Sequence, residues 1–215
     1  MTDPILFWND VALEANRTSH TNGKNEQTGP TLSSRALAIV HLAMYDAYAS
    51  ARGNPAQLPA YMTGLSAFPP TTLSADEAGA AAVAGAAFTT LKNLFKSQQA
   101  FFESKLSQSQ VTQNAEFNYG VTIGNLMIED RRLDPTGDGS GYTPLMKRGK
   151  HRVDPDNPNQ GFHAPFYGAG SKGFAITARH TLDAPPFEQN NAAKTEYRNA
   201  LREVRGRGIA PELMG

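Results

Sequence analysis

Apolar residues recur every three to four positions through most of the chain, which is the spacing of one buried helix face. This spacing predicts helices at about residues 4–21, 31–51, 74–97, 98–107, 109–133 and 191–205. The pattern therefore predicts an all-α fold, a helical bundle that forms a single domain over residues 1–215.

Local signals mark where two of these helices begin. Asp3 followed by Pro4 is a favourable start, because Asp accepts a hydrogen bond from a free amide and Pro fits the first turn. Ser74 and Glu77 have the spacing of a capping box. Between these two starts, the stretch 36–44 is apolar on nearly every side, so we expect its helix to be central and buried.

The fifth predicted helix combines large and very small residues on one face. Phe117, Val121, Gly124 and Ile128 recur at helical spacing, and Gly120 lies beside them. Glycine at these positions allows a neighbouring helix to approach closely. We therefore expect tight helix packing on this face.

Helical periodicity stops over about residues 134–188, where prolines and glycines punctuate a polar sequence. An irregular connection of this length is unusual in a compact domain. Its aromatic residues favour a long loop that wraps over the helices, because disordered linkers contain few aromatic side chains. These residues are Tyr142, Phe162, Phe166, Tyr167 and Phe174.

Charge and composition exclude several kinds of partner and site. Lys and Arg number 20, as do Asp and Glu, so no overall field favours nucleic acid or an anionic membrane. Cysteine is absent, which excludes disulfides, thiolate metal sites and a cysteine nucleophile. The first ten residues lack the features of a signal peptide, and the apolar stretch 36–49 is too short to cross a membrane. We expect a soluble protein, and these features favour the cytoplasm.

Three polar residues lie in or beside the second predicted helix. His41 and Asp46 are five residues apart, so they point to different faces and are interpreted as core groups with internal hydrogen bonds. Arg35 has the donors to clamp an anion, but a structural salt bridge or carbonyl contact is the favoured interpretation. No two histidines have the spacing of an HExxH zinc site, and residue spacing alone identifies no catalytic or metal-binding group.

Two loop segments carry weaker signals. The basic patch KRGKHR (147–152) would attract phosphate or nucleic acid if it stood alone, but in a neutral chain a solvated loop is the favoured interpretation. The segment DPTGDGSG (134–141) lacks the alternating acids and final Glu of an EF-hand. It is therefore interpreted as a glycine-rich turn.

Five segments of the sequence, in order, resemble those of vanadium chloroperoxidases. The segments are ILFWNDVALEANRTSHT (5–21), TGPTLSSRALAIVHLAMYDAYAS (28–50), DPDNPN (154–159), HAPFYG (163–168) and FAITARHTLDAPP (174–186). The resemblance extends over about residues 5–197 and is weakest at 54–130. It identifies the chain as similar to the amino-terminal half of that family.

The resemblance implies a mostly helical fold of two four-helix bundles wrapped by long loops, with vanadate in the second bundle. In that family, vanadate is held by an apical His and by Lys, Arg and backbone amide donors, and a second His acts as acid–base group. The site uses peroxide to oxidise halide to hypohalite. Its residues lie in a signature shared with acid phosphatases: Lys, six residues, then Arg-Pro; later Pro-Ser-Gly-His; later Arg followed by the ligand His.

This signature is not found in the sequence. Lys172 and Arg179 are separated by six residues, but His180 stands where the family has Pro, and no Ser-Gly-His follows. The resemblance therefore implies that this chain contains no catalytic residue, no metal ligand and no cofactor, with vanadate bound only after completion by a C-terminal half. We expect the partner to be a second polypeptide that carries that half, or a homo-oligomer.

Two prolines match positions that line the substrate channel in the first half of the family's fold. They are Pro30 in TGP and Pro165 in HAPFYG. Each also fits a structural role, a rigid turn before a helix for Pro30 and a loop bend for Pro165. The favoured hypothesis for the chain is the N-terminal part of a haloperoxidase that is not catalytic alone. The alternatives are a non-catalytic helical interaction module and a truncated gene product derived from this family.

Overall fold

The computed structural model describes residues 3–135, 137, 139–147, 150–159, 164–176, 178 and 190–208. Within these ranges the regular structure is helical and contains no β-strand, which confirms the all-α prediction. The helices are α1 (Pro4–Ser19), α2 (Pro30–Arg52), α3 (Ala75–Leu94), α4 (Gln99–Gln108), α5 (Ala115–Asp130), α6 (Tyr167–Gly170) and α7 (Asn191–Arg207), with a short 3₁₀ helix at Lys96–Gln98. None of the described helices is both long enough and apolar enough to span a lipid bilayer.

The chain divides into two compact units. The first contains Met1–Tyr142 and Phe162–Phe174 and holds helices α1 to α6. The second contains Thr143–Gly161 and Ala175–Gly215 and holds α7. The expectation of one domain over residues 1–215 stays a prediction.

Capping side chains start α1 and α3 where the sequence predicted. Asp3 Oδ1 accepts hydrogen bonds from the amides of Ile5 at 2.8 Å and Leu6 at 3.0 Å. At α3, Ser74 Oγ accepts from the amide of Glu77, and a Glu77 carboxylate oxygen accepts from the amide of Ser74. Both contacts satisfy amides that have no partner within the helix. The predicted cap and capping box are confirmed.

Helix α5 begins later than predicted. Asn114 caps it by accepting a hydrogen bond from the amide of Phe117 at 3.0 Å, so the helix starts at Ala115 and not near residue 109. Before this cap, Gln110 has a left-handed φ of 56°, which breaks the helical path after α4. The apolar residue at Val111 continued the periodic pattern across this break, and the sequence therefore suggested a longer helix.

Helix α3 lies at the centre of the first unit, where it packs against α1, α2, α4 and α5. Most of its side chains are buried, and seven of the buried ones are alanine. Because alanine is short, neighbouring helices approach α3 from several sides. Helix α2, which the sequence indicated as central, buries mainly one face, through residues such as Ile39, Ala43 and Ala47. Apolar content alone did not distinguish the encircled helix from its neighbour.

Glycines let α3 and α5 cross with their backbones in near contact. A Cβ atom placed on Gly120 would overlap the carbonyl oxygen of Ala82, and one placed on Gly85 would overlap that of Phe117. At Gly124 the nearest side-chain atom would lie 2.8 Å away. The close approach predicted at Gly120 and Gly124 is confirmed, and the neighbouring helix is α3.

The irregular loop between α2 and α3 is held in place by hydrogen bonds to its backbone groups. Side chains of α2 and α5 reach across to amide and carbonyl groups of this loop. The bonds join Asp46 to the amides of Tyr61 (2.6 Å) and Met62 (3.0 Å), Tyr45 to the carbonyl oxygen of Pro59 (2.8 Å), and Tyr119 to that of Ser66 (3.0 Å). The helices therefore fix the path of the loop that joins them.

The region predicted to be irregular at about 134–188 contains one short helix, α6, in its described part. The side chain of Phe174 packs against the apolar core of the first unit. The rings of Tyr142 and Phe166 meet edge to face, with centroids 5.9 Å apart. Phe162 lies outside the described residues.

We expect Gly120→Ala to lower the free energy of unfolding by at least about 2 kcal/mol, because backbone atoms of α3 would have to move. Gly79→Ala is the matched control, since its Cβ would lie at an ordinary 3.4 Å from the Tyr48 ring. That control should be neutral or stabilising by up to about 1 kcal/mol, from helix propensity. Urea unfolding measures both, and equal effects of the two substitutions would contradict the close backbone approach.

Candidate functional site

A buried carboxylate between two arginines joins α2 to the end of α5. Asp134 Oδ2 accepts hydrogen bonds from Arg35 Nε at 2.7 Å and from Arg131 Nε at 2.9 Å. Arg35 Nη2 also donates to the carbonyl oxygen of Arg131 at 2.9 Å. The side chains of Arg131 and Asp134 are 0% and 2% exposed, and that of Arg35 is 13% exposed. Two cations share this one carboxylate, and carbonyl dipoles offset part of the remaining positive charge.

Arg131 extends the cluster to a later segment of the chain. Its Nη2 donates to the carbonyl oxygen of Lys172 at 2.6 Å, and its Nη1 donates to that of Gly173 at 3.3 Å. The guanidinium carbon lies 3.7 Å from the centre of the Phe174 ring, which is a cation–π contact. Asp134 Oδ1 accepts from the Lys172 amide at 3.3 Å. The cluster therefore anchors this segment to the end of α5.

Two open clefts flank the first turn of α2. One, of about 720 Å³, has Pro30 in its wall. The other, of about 700 Å³, is lined by Arg35 and Asp134 of the buried cluster. Asn25 and Thr28 line both clefts, so the loop that precedes α2 contributes to both walls.

Pro165 lies in a tight turn immediately before α6. It is half-buried and follows Ala164, whose φ of 41° is unusual for a residue with a Cβ atom. The Tyr167 amide donates to the Ala164 carbonyl oxygen at 3.0 Å and closes the turn. Both prolines thus belong to the first unit, Pro30 in a cleft wall and Pro165 in a turn. Their role in a substrate channel stays a prediction.

Arg35, His41 and Asp46 all lie on α2, and each bonds to a different neighbouring part of the fold. Arg35 bonds to the end of α5. His41 Nδ1 lies 2.8 Å from the carbonyl oxygen of Leu37, and its Nε2 lies 3.1 Å from Asn9 Oδ1 of α1. Asp46 bonds to the loop between α2 and α3. Each residue therefore links α2 to a different neighbour, and the fold does not assemble them into one site.

Two residues of the cluster were missed by sequence reasoning. Arg131 and Asp134 form an Arg–Asp pair three residues apart, just before Pro135. This spacing allows side-chain pairing at a helix end, and it was the available signal. Charged residues are rarely buried unless paired, and their partner Arg35 lies 99 positions from Asp134. Their burial follows from tertiary packing alone.

Two histidines and one arginine of the first unit have their ring or guanidinium nitrogens engaged within the fold. Both ring nitrogens of His20 are used inside the fold, with Nδ1 2.8 Å from the Asn16 carbonyl oxygen and Nε2 accepting from the Gly29 amide at 3.4 Å. Both ring nitrogens of His41 are also engaged, and so are the nitrogens of Arg131. Within the described ranges, no group of three or more His, Cys, Asp or Glu side chains could hold a metal ion. The residues His163, Arg179 and His180 lie outside the described part of the chain.

In its described part, the first unit is helical, and buried polar side chains tie the α2–α3 loop and residues 172–174 to its helices. The family model of the vanadium chloroperoxidase N-terminal domain matches residues 1–173, so the chain belongs to that family. This match confirms the resemblance inferred from the ordered motifs.

The chain is also similar to the vanadium chloroperoxidase of Curvularia inaequalis. The two are 33% identical over an alignment of 258 residues in length, which covers 99% of this chain and 42% of the relative. The chain therefore spans less than half the length of this relative.

Replacing Arg131 by Met should uncouple the segment that contains α6. The change leaves Arg35 as the one guanidinium group bonded to Asp134 and removes the donors to Lys172 and Gly173, so we expect a loss of about 3–5 kcal/mol in the free energy of unfolding. Faster hydrogen exchange at the amides of α6 should accompany this loss.

Arg132→Met is the matched control for this experiment. The Arg132 side chain is 61% exposed and pairs with exposed Glu129, so its loss should leave the free energy of unfolding nearly unchanged. Unchanged exchange at α6 in the Arg131 variant would contradict the anchoring role of the cluster.

Asp46 should make the stability depend on pH. Its side chain is fully buried, which raises the pKa of the carboxyl above the ordinary value of 3.8, although the two loop amides that donate to it lower the pKa in part. A raised folded-state pKa contributes stability that is complete below the ordinary value and is lost as the pH rises through the raised value. The stability of the protein relative to Asp46→Asn should therefore decrease from pH 3.5 to pH 7. Urea unfolding measures this difference in the free energy of unfolding. If the protein instead gains stability relative to Asp46→Asn over this range, the pKa of Asp46 is lowered by folding and the prediction is wrong.

Proposed function

We propose that this chain is the N-terminal helical part of a vanadium-dependent haloperoxidase and that it is not catalytic alone. The observation that carries this proposal is the match to the family's N-terminal domain over residues 1–173, in a chain that covers 42% of a vanadium chloroperoxidase. In the proposal, the first unit is a scaffold. The anion ligands come from the part of the fold beyond the matched segment.

Hydrogen bonds made by the polar side chains of the first unit support its role as a scaffold. Vanadate, when bound, supplies Lewis-acid activation of peroxide for halide oxidation. Such an anion needs cationic donors and a His nitrogen that are free to bind it. In the first unit, Arg131 and Asp134 instead hold the fold together, and His20 and His41 bond to backbone and amide groups.

A second polypeptide with the catalytic half is the favoured partner in this proposal. A homo-oligomer would repeat the same set of engaged residues and would not add the missing signature. In the completed enzyme, Pro30 and Pro165 would form part of the apolar wall of the substrate channel. The cleft beside Pro30 supports this placement for the first of the two prolines.

Vanadate titration of the purified chain tests the proposal. We expect no saturable binding by calorimetry up to about 1 mM vanadate, a limit equivalent to about 4 kcal/mol of binding free energy. We also expect no bromination of a phenol reporter above the rate of vanadate, peroxide and bromide alone. The complete Curvularia enzyme is the positive control. Stoichiometric binding with turnover by this chain would overturn the proposal.

A further inference from the structure

The loop between α1 and α2 contains the one Asn–Gly pair in the sequence, Asn22–Gly23. Asn22 is exposed, and its Oδ1 accepts a hydrogen bond from the Lys24 amide at 2.9 Å, which closes a turn around Gly23. Gly23 has a left-handed φ of 72°, and a Cβ atom placed on it would have no neighbour within 4 Å. In the described part of the chain, no acceptor bonds to the Gly23 amide. Gly23 is therefore an exposed residue with an unbonded amide.

These features suit a reaction between the Asn22 side chain and the Gly23 amide. Once the Gly23 nitrogen loses its proton, it can attack the side-chain carbonyl carbon of Asn22, because glycine has no Cβ atom to hinder the approach. The Lys24 amide already donates to the oxygen on which negative charge develops during this attack, and such a donor stabilises the transition state. Three consecutive residues thus supply the electrophile, the nucleophile and the oxyanion donor.

We propose that Asn22–Gly23 is a site of spontaneous deamidation that loosens the loop between α1 and α2. A new bond between the Gly23 nitrogen and the Asn22 side-chain carbonyl carbon closes a succinimide ring. The bond to the side-chain nitrogen breaks, and this nitrogen takes up the proton and leaves as ammonia. Water then opens the ring at either carbonyl carbon, which leaves aspartate or isoaspartate at position 22. No group is oxidised or reduced, and the inference is independent of the proposed function.

Asn22 and Glu26 tie this loop to Ser97, which lies in the 3₁₀ helix between α3 and α4. Asn22 Nδ2 donates to Ser97 Oγ at 3.3 Å. Ser97 Oγ donates to Glu26 Oε2 at 2.6 Å, and the Ser97 amide donates to Glu26 Oε1 at 2.8 Å. Since the one proton of the Ser97 hydroxyl goes to Glu26, residue 22 can bond to this oxygen only as a donor. The neutral amide of Asn22 meets that requirement.

Deamidation removes this donor and places a second carboxylate beside that of Glu26. A carboxylate at position 22 has no proton to give to Ser97 Oγ, and it repels Glu26 across the same hydroxyl. A modification that adds like charges in this way disrupts the local structure. The loop also forms part of both clefts beside the first turn of α2, through Asn25 and Thr28. We therefore expect its release to change the walls of both clefts.

Peptide mass spectrometry of the full chain, incubated at mildly alkaline pH in water labelled with heavy oxygen, tests the reaction. We expect residue 22 to exchange its NH2 group for labelled OH at least about tenfold faster than Asn54. Asn54 is the internal control, because it is also exposed in a loop but precedes Pro55, whose nitrogen carries no proton. The products should include isoaspartate, which direct hydrolysis of the side chain does not form. Equal rates at the two residues, or a product without isoaspartate, would overturn the proposal.

The substitution Asn22→Asp reproduces the aspartate product and tests its effect on the loop. We expect hydrogen exchange at the Ser97 amide to become at least about fivefold faster, because this amide is bonded to the loop through Glu26. Asn54→Asp is the matched control, since it adds the same charge to another exposed loop, and it should change this rate by less than about twofold. Circular dichroism checks that both variants keep the helix content of the unmodified chain. Exchange at Ser97 that stays unchanged in Asn22→Asp, or that rises equally in both variants, would overturn the loosening of the loop.

Discussion

The first unit depends on the carboxylate of Asp134, held between the guanidinium groups of Arg35 and Arg131. Removing such ions from water costs several kcal/mol each, so each side chain is stable in this position only when its partners are present. Because the three come from α2 and from the end of α5, the packing of these two helices creates the cluster. The carbonyl oxygens and aromatic ring supplied by residues 172–174 then complete it. Docking of the later segment is thus coupled to helix packing.

Features that depend on neighbouring residues were predictable from the sequence. The cap at Asp3 and the capping box at Ser74 and Glu77 each involve side chains within three residues of the amides they satisfy. The ordered motifs likewise identified the family without knowledge of the fold. The polar cluster was not predictable, because Arg35 and Asp134 are 99 positions apart and their pairing is set by how α2 meets α5. The centrality of α3 was missed for a similar reason, since burial depends on the neighbours of a helix.

Among the functional residues, too, local spacing was informative and tertiary partners were not predictable. Helical spacing correctly separated His41 from Asp46, but it did not reveal that each would bond to a different element. The net charge of zero argued against an electrostatic field that would attract nucleic acid or an anionic membrane. The first unit is nevertheless net negative and the second net positive. Composition averaged over a chain therefore loses the electrostatic information that its parts carry.

The connection between α2 and α3 shows where the information for a loop can lie. Its bonds to Asp46, Tyr45 and Tyr119 use its amide and carbonyl groups, which every residue except proline possesses in full. The side chains that fix its path thus lie outside the loop, in α2 and α5. Most side chains of such a loop can therefore be exchanged without removing the bonds that set its path.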